Sequence, residues 1–149
     1  VANPEGQGGE PSIAETKSGK IHMMLRTKDG LLWRSISADK GETWSAAEKT
    51  GLTGTSSASH LLCTHDGTLV LTYNPGPTPL RFPLLIRTSR DEGVTWSEPT
   101  LLADRPAKVG GWSICYPTLT ELPDGTLAHL GPGDMLGRTW SAALRLVKD

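Results

Sequence analysis

The sequence predicts an all-β fold, a β-propeller of four-stranded antiparallel blades, with about three blades in this chain, half of a six-bladed ring. Three observations carry that reading. The stretch SADKGETW at Ser37–Trp44 returns as SRDEGVTW at Ser89–Trp96, identical at Ser, Asp, Gly, Thr and Trp across an offset of 52 residues. A turn followed by an alternating run occurs three times, as SGKIHMML from Ser18, DGTLVLTY from Asp66 and DGTLAHL from Asp124. Finally, 17 Gly and 11 Pro, with five Trp against one Phe, suit short punctuated strands better than helices. Internal repeats of about 50 residues fit blades, because radial repetition keeps exposed strand edges short.

The elements follow in order. The whole chain, 1–149, reads as one partial propeller with units at about 10–57, 58–110 and 111–149. In the first unit, strand A falls near 11–16. Strand B covers 20–26, where Ile21, Met23 and Leu25 alternate with His22, Met24 and Arg26. Lys28-Asp29-Gly30 turns into strand C at 31–37, and a shorter strand D follows the SxDxGxTW stretch. The second unit repeats this with A at 59–64, B at 68–74 and C at 83–89. The third has A at 117–122 and B at 126–130, after which the pattern degenerates. There Gly137, Thr139 and Trp140 echo the motif, but Asp134 is one residue out of register. Thr139–Val147 reads instead as a strand C.

In SxDxGxTW the Asp accepts hydrogen bonds from its own turn, the Gly permits a positive φ, and the Trp packs under the next strand. Such an Asp is locally satisfied, so Asp39 and Asp91 read as folding devices rather than catalysts.

Composition narrows the ligand classes. Fifteen Lys plus Arg nearly balance sixteen Asp plus Glu, so no bulk attraction to nucleic acid or to anionic membrane is expected. Cys63 and Cys115 lack metal-site spacing and read as buried free thiols. The opening VANPEGQGGEP is not of signal-peptide type, and no stretch approaches the roughly 20 apolar residues that span a bilayer.

Aligning the three A–B hairpins on Gly19, Gly67 and Gly125 places Glu10, Ala58 and Tyr116 at one equivalent position, the start of strand A. Glu10 and Tyr116 therefore enter from the same rim, two blades apart. Arg26 closes strand B beside the start of A, and Arg81 opens strand C of the second unit, on that same rim. The SxDxGxTW turns fall on the opposite rim. Arg34, Arg87, Arg90 and Arg145 converge on nothing, nor do His22, His60, His65 and His129; all eight read as surface or structural residues. The loop Val109-Gly110-Gly111-Trp112 precedes Tyr116 and could overhang the rim or simply pack.

The repeated stretches are Asp boxes, and with these spacings the chain resembles the sialidase (neuraminidase) superfamily over about Glu10–Leu130, in particular its C-terminal half. Glu10 in EPSIAE, with Arg26 eleven residues after Glu15, resembles the segment bearing the base that assists the nucleophile and one arginine of a carboxylate-binding triad. Arg81 in RFPLLIRTS resembles the triad's last arginine, and Tyr116 in YPTL resembles the nucleophilic tyrosine, which in the family is followed by Ser more often than Pro. The resemblance implies a retaining exo-glycosidase acting on terminal sialic acid or a related acidic sugar. Guanidinium forks bind a carboxylate bidentately, and a tyrosine nucleophile avoids the repulsion that an anionic Asp or Glu would meet there. It implies no cofactor and requires no metal, and it would place the protein outside the cell or in the periplasm.

Two parts of that machinery have no counterpart in the sequence: the general-acid Asp and the first triad arginine, which in the family come from N-terminal blades. Either a preceding N-terminal half completes the ring or two copies close it as a homodimer, the latter being our expectation. The alternative reading is a non-catalytic Asp-box propeller that binds carbohydrate or protein.

Overall fold

A computed structural model describes residues 8–54, 57–76, 81–104, 115–132 and 139–146. Strands alone make up its regular structure, and no helix occurs among the described residues. The first sheet runs β1 (Gly9–Glu15), β2 (Ile21–Arg26), β3 (Leu31–Ser37) and β4 (Glu48–Thr53), each antiparallel to the next. The second runs β5 (His60–Cys63), β6 (Leu69–Tyr73), β7 (Leu84–Ser89) and β8 (Thr100–Ala103) in the same order. The third contains β9 (Thr118–Glu121), β10 (Leu127–Pro132) and β11 (Thr139–Leu144), again in meander order. These are the A to D strands of three successive blades, the third described as far as strand C.

The degenerate stretch of the third unit resolves in favour of a strand. Thr139 pairs with Pro132 and Trp140 with Gly131, so Trp140 belongs to strand C and does not close a third Asp box. Asp134 and the loop at 109–112 lie outside the described residues.

Each sheet has two faces to bury, and the central blade meets this by alternation. Every residue of β6 is buried. Leu69, Leu71 and Tyr73 join Ala14, Met24, Leu32 and Leu61 in a core against the first blade. Val70, between them, joins Ile86, Leu119 and Leu127 in a core against the third. Period-two side-chain alternation thus sends one strand's residues into two blade interfaces. Strands β1 and β5 pack together, as do β5 and β9, which puts the first strand of each blade along the inner edge of the stack.

Polar contacts fix how the blades sit. Leu61 N donates to Ser12 Oγ at 2.9 Å across the inner edge. On the rim of the A–B turns, the Glu92 carboxylate accepts from Ser18 Oγ at 2.8 Å and from Ser18 N at 3.2 Å, while Arg34 Nη1 donates to Gly93 O at 2.8 Å. The second Asp-box turn is therefore the piece that docks onto the first blade. His22 lies beside that turn, where burial and then the charge of Arg34 push its pKa down.

Both Asp boxes have the local bonding that their sequence implies. Asp39 Oδ1 accepts from Thr43 N at 2.8 Å and from Ser37 Oγ at 2.8 Å, and Ser37 Oγ accepts from Gly41 N at 2.8 Å. Asp91 repeats this with Thr95 N at 2.9 Å and Ser89 Oγ at 2.7 Å. Gly41 and Gly93 take positive φ at 92° and 78°. The Thr43 and Thr95 hydroxyls, followed by their amides, hold the two carboxyls down at about 2.

Two outcomes follow from this architecture. Leu71→Ala removes a fully buried side chain at the interface of the first two blades, so it should cost about 2–5 kcal/mol in urea unfolding. The Asp39 and Asp91 carboxyls are lower when folded than their ordinary 3.8, so their stabilising contribution is complete above about pH 4 and disappears as pH falls towards 2. Thermal midpoints measured from pH 5 to 2 should fall in that window, and Asp39→Asn with Asp91→Asn should flatten the fall.

Candidate active site

The rim opposite the Asp boxes collects the sequence-predicted residues, beginning with a distortion of β1. Gly9 pairs with Arg26 but Ser12 pairs with Met24, so β1 uses one residue more than β2 over the same stretch. That extra residue is a β-bulge at Glu10-Pro11, a position where Pro is tolerated and where a strand re-aims its side chains. Glu10 takes φ 47°, and its Oε2 lies 3.1 Å from Arg26 Nε.

Tyr116, immediately before Pro117 and β9, takes φ 53°. Its hydroxyl comes 3.5 Å from Glu10 Oε1, a long contact at the outer limit of hydrogen bonding. Arg81 lies over the Tyr116 ring, its guanidinium carbon 5.2 Å from the centroid, within cation–π range. Arg81 Nη1 also reaches Cys115 Sγ at 3.6 Å, and that contact, aided by Tyr116, raises the guanidinium above its ordinary pKa.

All four predicted residues thus meet at one place. Glu10 bridges Arg26 and Tyr116, and Tyr116 lies between Glu10 and Arg81. The group is open to solvent, with Tyr116 41% exposed. Chemically, it offers a carboxylate able to accept a phenolic proton, flanked by two cations able to hold an anion.

The sequence reading missed two features here. Cys115 was expected to be a buried thiol outside any disulfide; it is buried and forms no disulfide, and it also anchors Arg81. Its only sequence signal was adjacency to Tyr116. Cys63, expected to be buried as well, is half-buried, and desolvation pushes its thiol pKa up. The left-handed backbone at Glu10 and Tyr116 was also not anticipated. A cleft of about 780 Å³ opens between the second and third blades, lined by His65, Asp66, Glu121, Asp124 and Arg145, but it lies on the Asp-box rim, away from the four residues.

Comparison with known proteins places the fold. The fold is that of sialidase-type β-propellers. The NanB sialidase from Streptococcus pneumoniae superposes with a TM-score of 0.73 at 22% identity, over 91% of this chain and 23% of that one. A leech intramolecular trans-sialidase, solved with 2,7-anhydro-Neu5Ac, gives 0.69 at 23% identity, over 91% of this chain and 23% of its own. An α-L-arabinofuranosidase from Fusarium graminearum gives 0.66 at 15% identity, over 95% and 46%. The chain therefore spans about a quarter of the length of the two sialidase structures. No curated protein sequence matches it. The profile of the BNR repeat-like domain matches residues 5–129, and the chain belongs to that family.

Proposed function

We propose that this chain carries the nucleophile side of a retaining sialidase-type exo-glycoside hydrolase acting on terminal sialic acid or a related acidic sugar. The observation that carries the reading is the 3.5 Å approach of the Tyr116 hydroxyl to the Glu10 carboxylate, with Arg26 and Arg81 on either side. In the proposed reaction Glu10 takes the phenolic proton as the Tyr116 oxygen attacks the anomeric carbon. The bond to the leaving oxygen breaks, and an acid from a completing blade protonates that oxygen. Water, deprotonated by the conjugate base of that acid, then displaces the Tyr116 oxygen, which takes its proton back from Glu10 and restores both groups. Arg26 and Arg81 hold the carboxylate borne by the same anomeric carbon, and their charge persists at any working pH.

Tyr116→Phe keeps the ring and deletes the nucleophile. With an aryl sialoside as substrate it should reduce turnover by at least about 100-fold, and Glu10→Gln by about 100- to 10,000-fold. Turnover that survives Tyr116→Phe would remove the hydrolase reading. Sialic acid binding without hydrolysis, lost in Arg26→Ala, would point instead to a carbohydrate-binding propeller.

Three blades also need covering. Ile13 on β1 and Leu130 on β10 are 57% and 54% exposed, apolar surface that a closed ring would bury. We propose closure by a second copy in a homodimer, which repeats these three blades and brings no general acid, so that the hydrolytic reaction above depends on the other route, preceding blades of a longer polypeptide that supply the acid. Light scattering on the folded chain should give twice the 15.9 kDa mass; a monomer would rule out the homodimer.

A further inference from the structure

The described chain has four non-glycine residues at positive φ: Glu10, Lys40, Glu92 and Tyr116. The repeat sorts them into two pairs. Lys40 and Glu92 occupy the same place in the two Asp boxes, just before Gly41 and Gly93, where the turn itself demands a left-handed residue. Glu10 and Tyr116 occupy the same place at the starts of their blades' first strands, and each is followed by Pro, as Glu10-Pro11 and Tyr116-Pro117. No hairpin turn accounts for this second pair. Ala58, the equivalent residue of the middle blade, is followed by Ser59 and is not left-handed.

Physical chemistry works against the conformation at both places. A side chain at positive φ crowds its own backbone, and a following Pro further restricts the residue before it. Such strain persists only where the surroundings enforce it, and it gathers at functional sites. Here the surroundings are visible. The bulge in β1 supplies the spare residue, and Pro11 in it leaves no N–H unpaired. Pro also locks its own φ near about −65°, so each strand leaves its left-handed residue in one direction.

We infer that the left-handed X-Pro step is one positioning device used twice, with Pro11 and Pro117 as positioning residues that hold Glu10 and Tyr116 face to face at a cost in stability. The inference deepens the site proposed above and rests on its residues, but its test needs no turnover. At a left-handed position Gly is favoured over Ala, whereas in extended backbone Ala is favoured over Gly. Thermal midpoints should therefore rank Glu10→Gly above Glu10→Ala and Tyr116→Gly above Tyr116→Ala, while Ala58→Gly falls below the parent chain. The chain has two tyrosines, Tyr73 and Tyr116, so ring-labelled tyrosine gives two resolvable NMR signals. Pro11→Ala, remote from Tyr116 in sequence, should shift or broaden the Tyr116 signal through Glu10 and leave that of Tyr73 in place. Gly variants that melt at or below their Ala counterparts, or a Tyr116 signal indifferent to Pro11→Ala, would overturn the inference. An inactive protein would bear on the hydrolase reading alone.

Discussion

Burial of both faces of β6 is the constraint on which everything else here depends. A sheet wetted on one side needs a single layer of apolar residues, but the middle blade of a stack must offer two. Leu69 and Leu71 face one neighbour and Val70 the other, so a shift of one residue in the register of β6 would exchange the two cores. The inner strands β1, β5 and β9 inherit their spacing from that packing. Glu10 and Tyr116 belong to the outer two of those blades, and their meeting is a product of how the middle blade stacks. Ala58 carries only a methyl group at the equivalent place between them. The site is therefore assembled by blade packing rather than by any local motif.

The two rims divide the work along chemical lines. On one, Asp39 and Asp91 are bonded so fully within their own turns that they are held near 2, and the Glu92 turn is tied to Ser18 of the preceding blade. Charge there is spent on local order. On the other, Glu10 faces Arg26 within the first blade, and Arg81 of the second blade faces Tyr116 of the third. Left-handed backbone occurs on both rims, but the Asp boxes surround it with hydrogen bonds from Ser, Asp and Thr. At Glu10 and Tyr116 no such turn exists, and the contacts are the ion pair with Arg26, the ring contact with Arg81 and the long approach between the two residues themselves.

Legibility in the sequence followed the range of the interaction. The blades were readable because period-two alternation and turn glycines are local, and the strands at Ile21–Arg26, Leu31–Ser37 and Leu84–Ser89 lie within a residue or two of their expected bounds. The co-location of Glu10, Arg26, Arg81 and Tyr116 was readable because a repeat converts sequence offset into spatial equivalence. What was not readable depends on neighbours that the repeat does not encode. The third unit is not among these, since the reading of Thr139–Val147 as a strand C agrees with the pairing of Trp140 with Gly131. Arg81 could be assigned to the rim, but its seat between Cys115 and the Tyr116 ring comes from packing across blades. The bulge at Glu10-Pro11 likewise appears only when β1 is laid against β2.

Exposure of the site gives the open side a physical meaning. Tyr116 is 41% exposed and the Glu10 side chain 37%, so the charges at this rim act through a largely aqueous medium. Two unit charges 4 Å apart are worth about 1 kcal/mol in bulk water and about 4 kcal/mol at the effective dielectric of about 20 near a protein surface, and more as water is excluded. On the proposed reading, a site for an anionic sugar built from Arg26 and Arg81 would therefore gain strength when further blades exclude water from it. The same closure would confine Glu10 and Tyr116, converting a 3.5 Å approach into a shorter, better aligned hydrogen bond. On the proposed reading, closing the ring and activating Tyr116 would be a single event, because the surface that completes the propeller would also dry the rim.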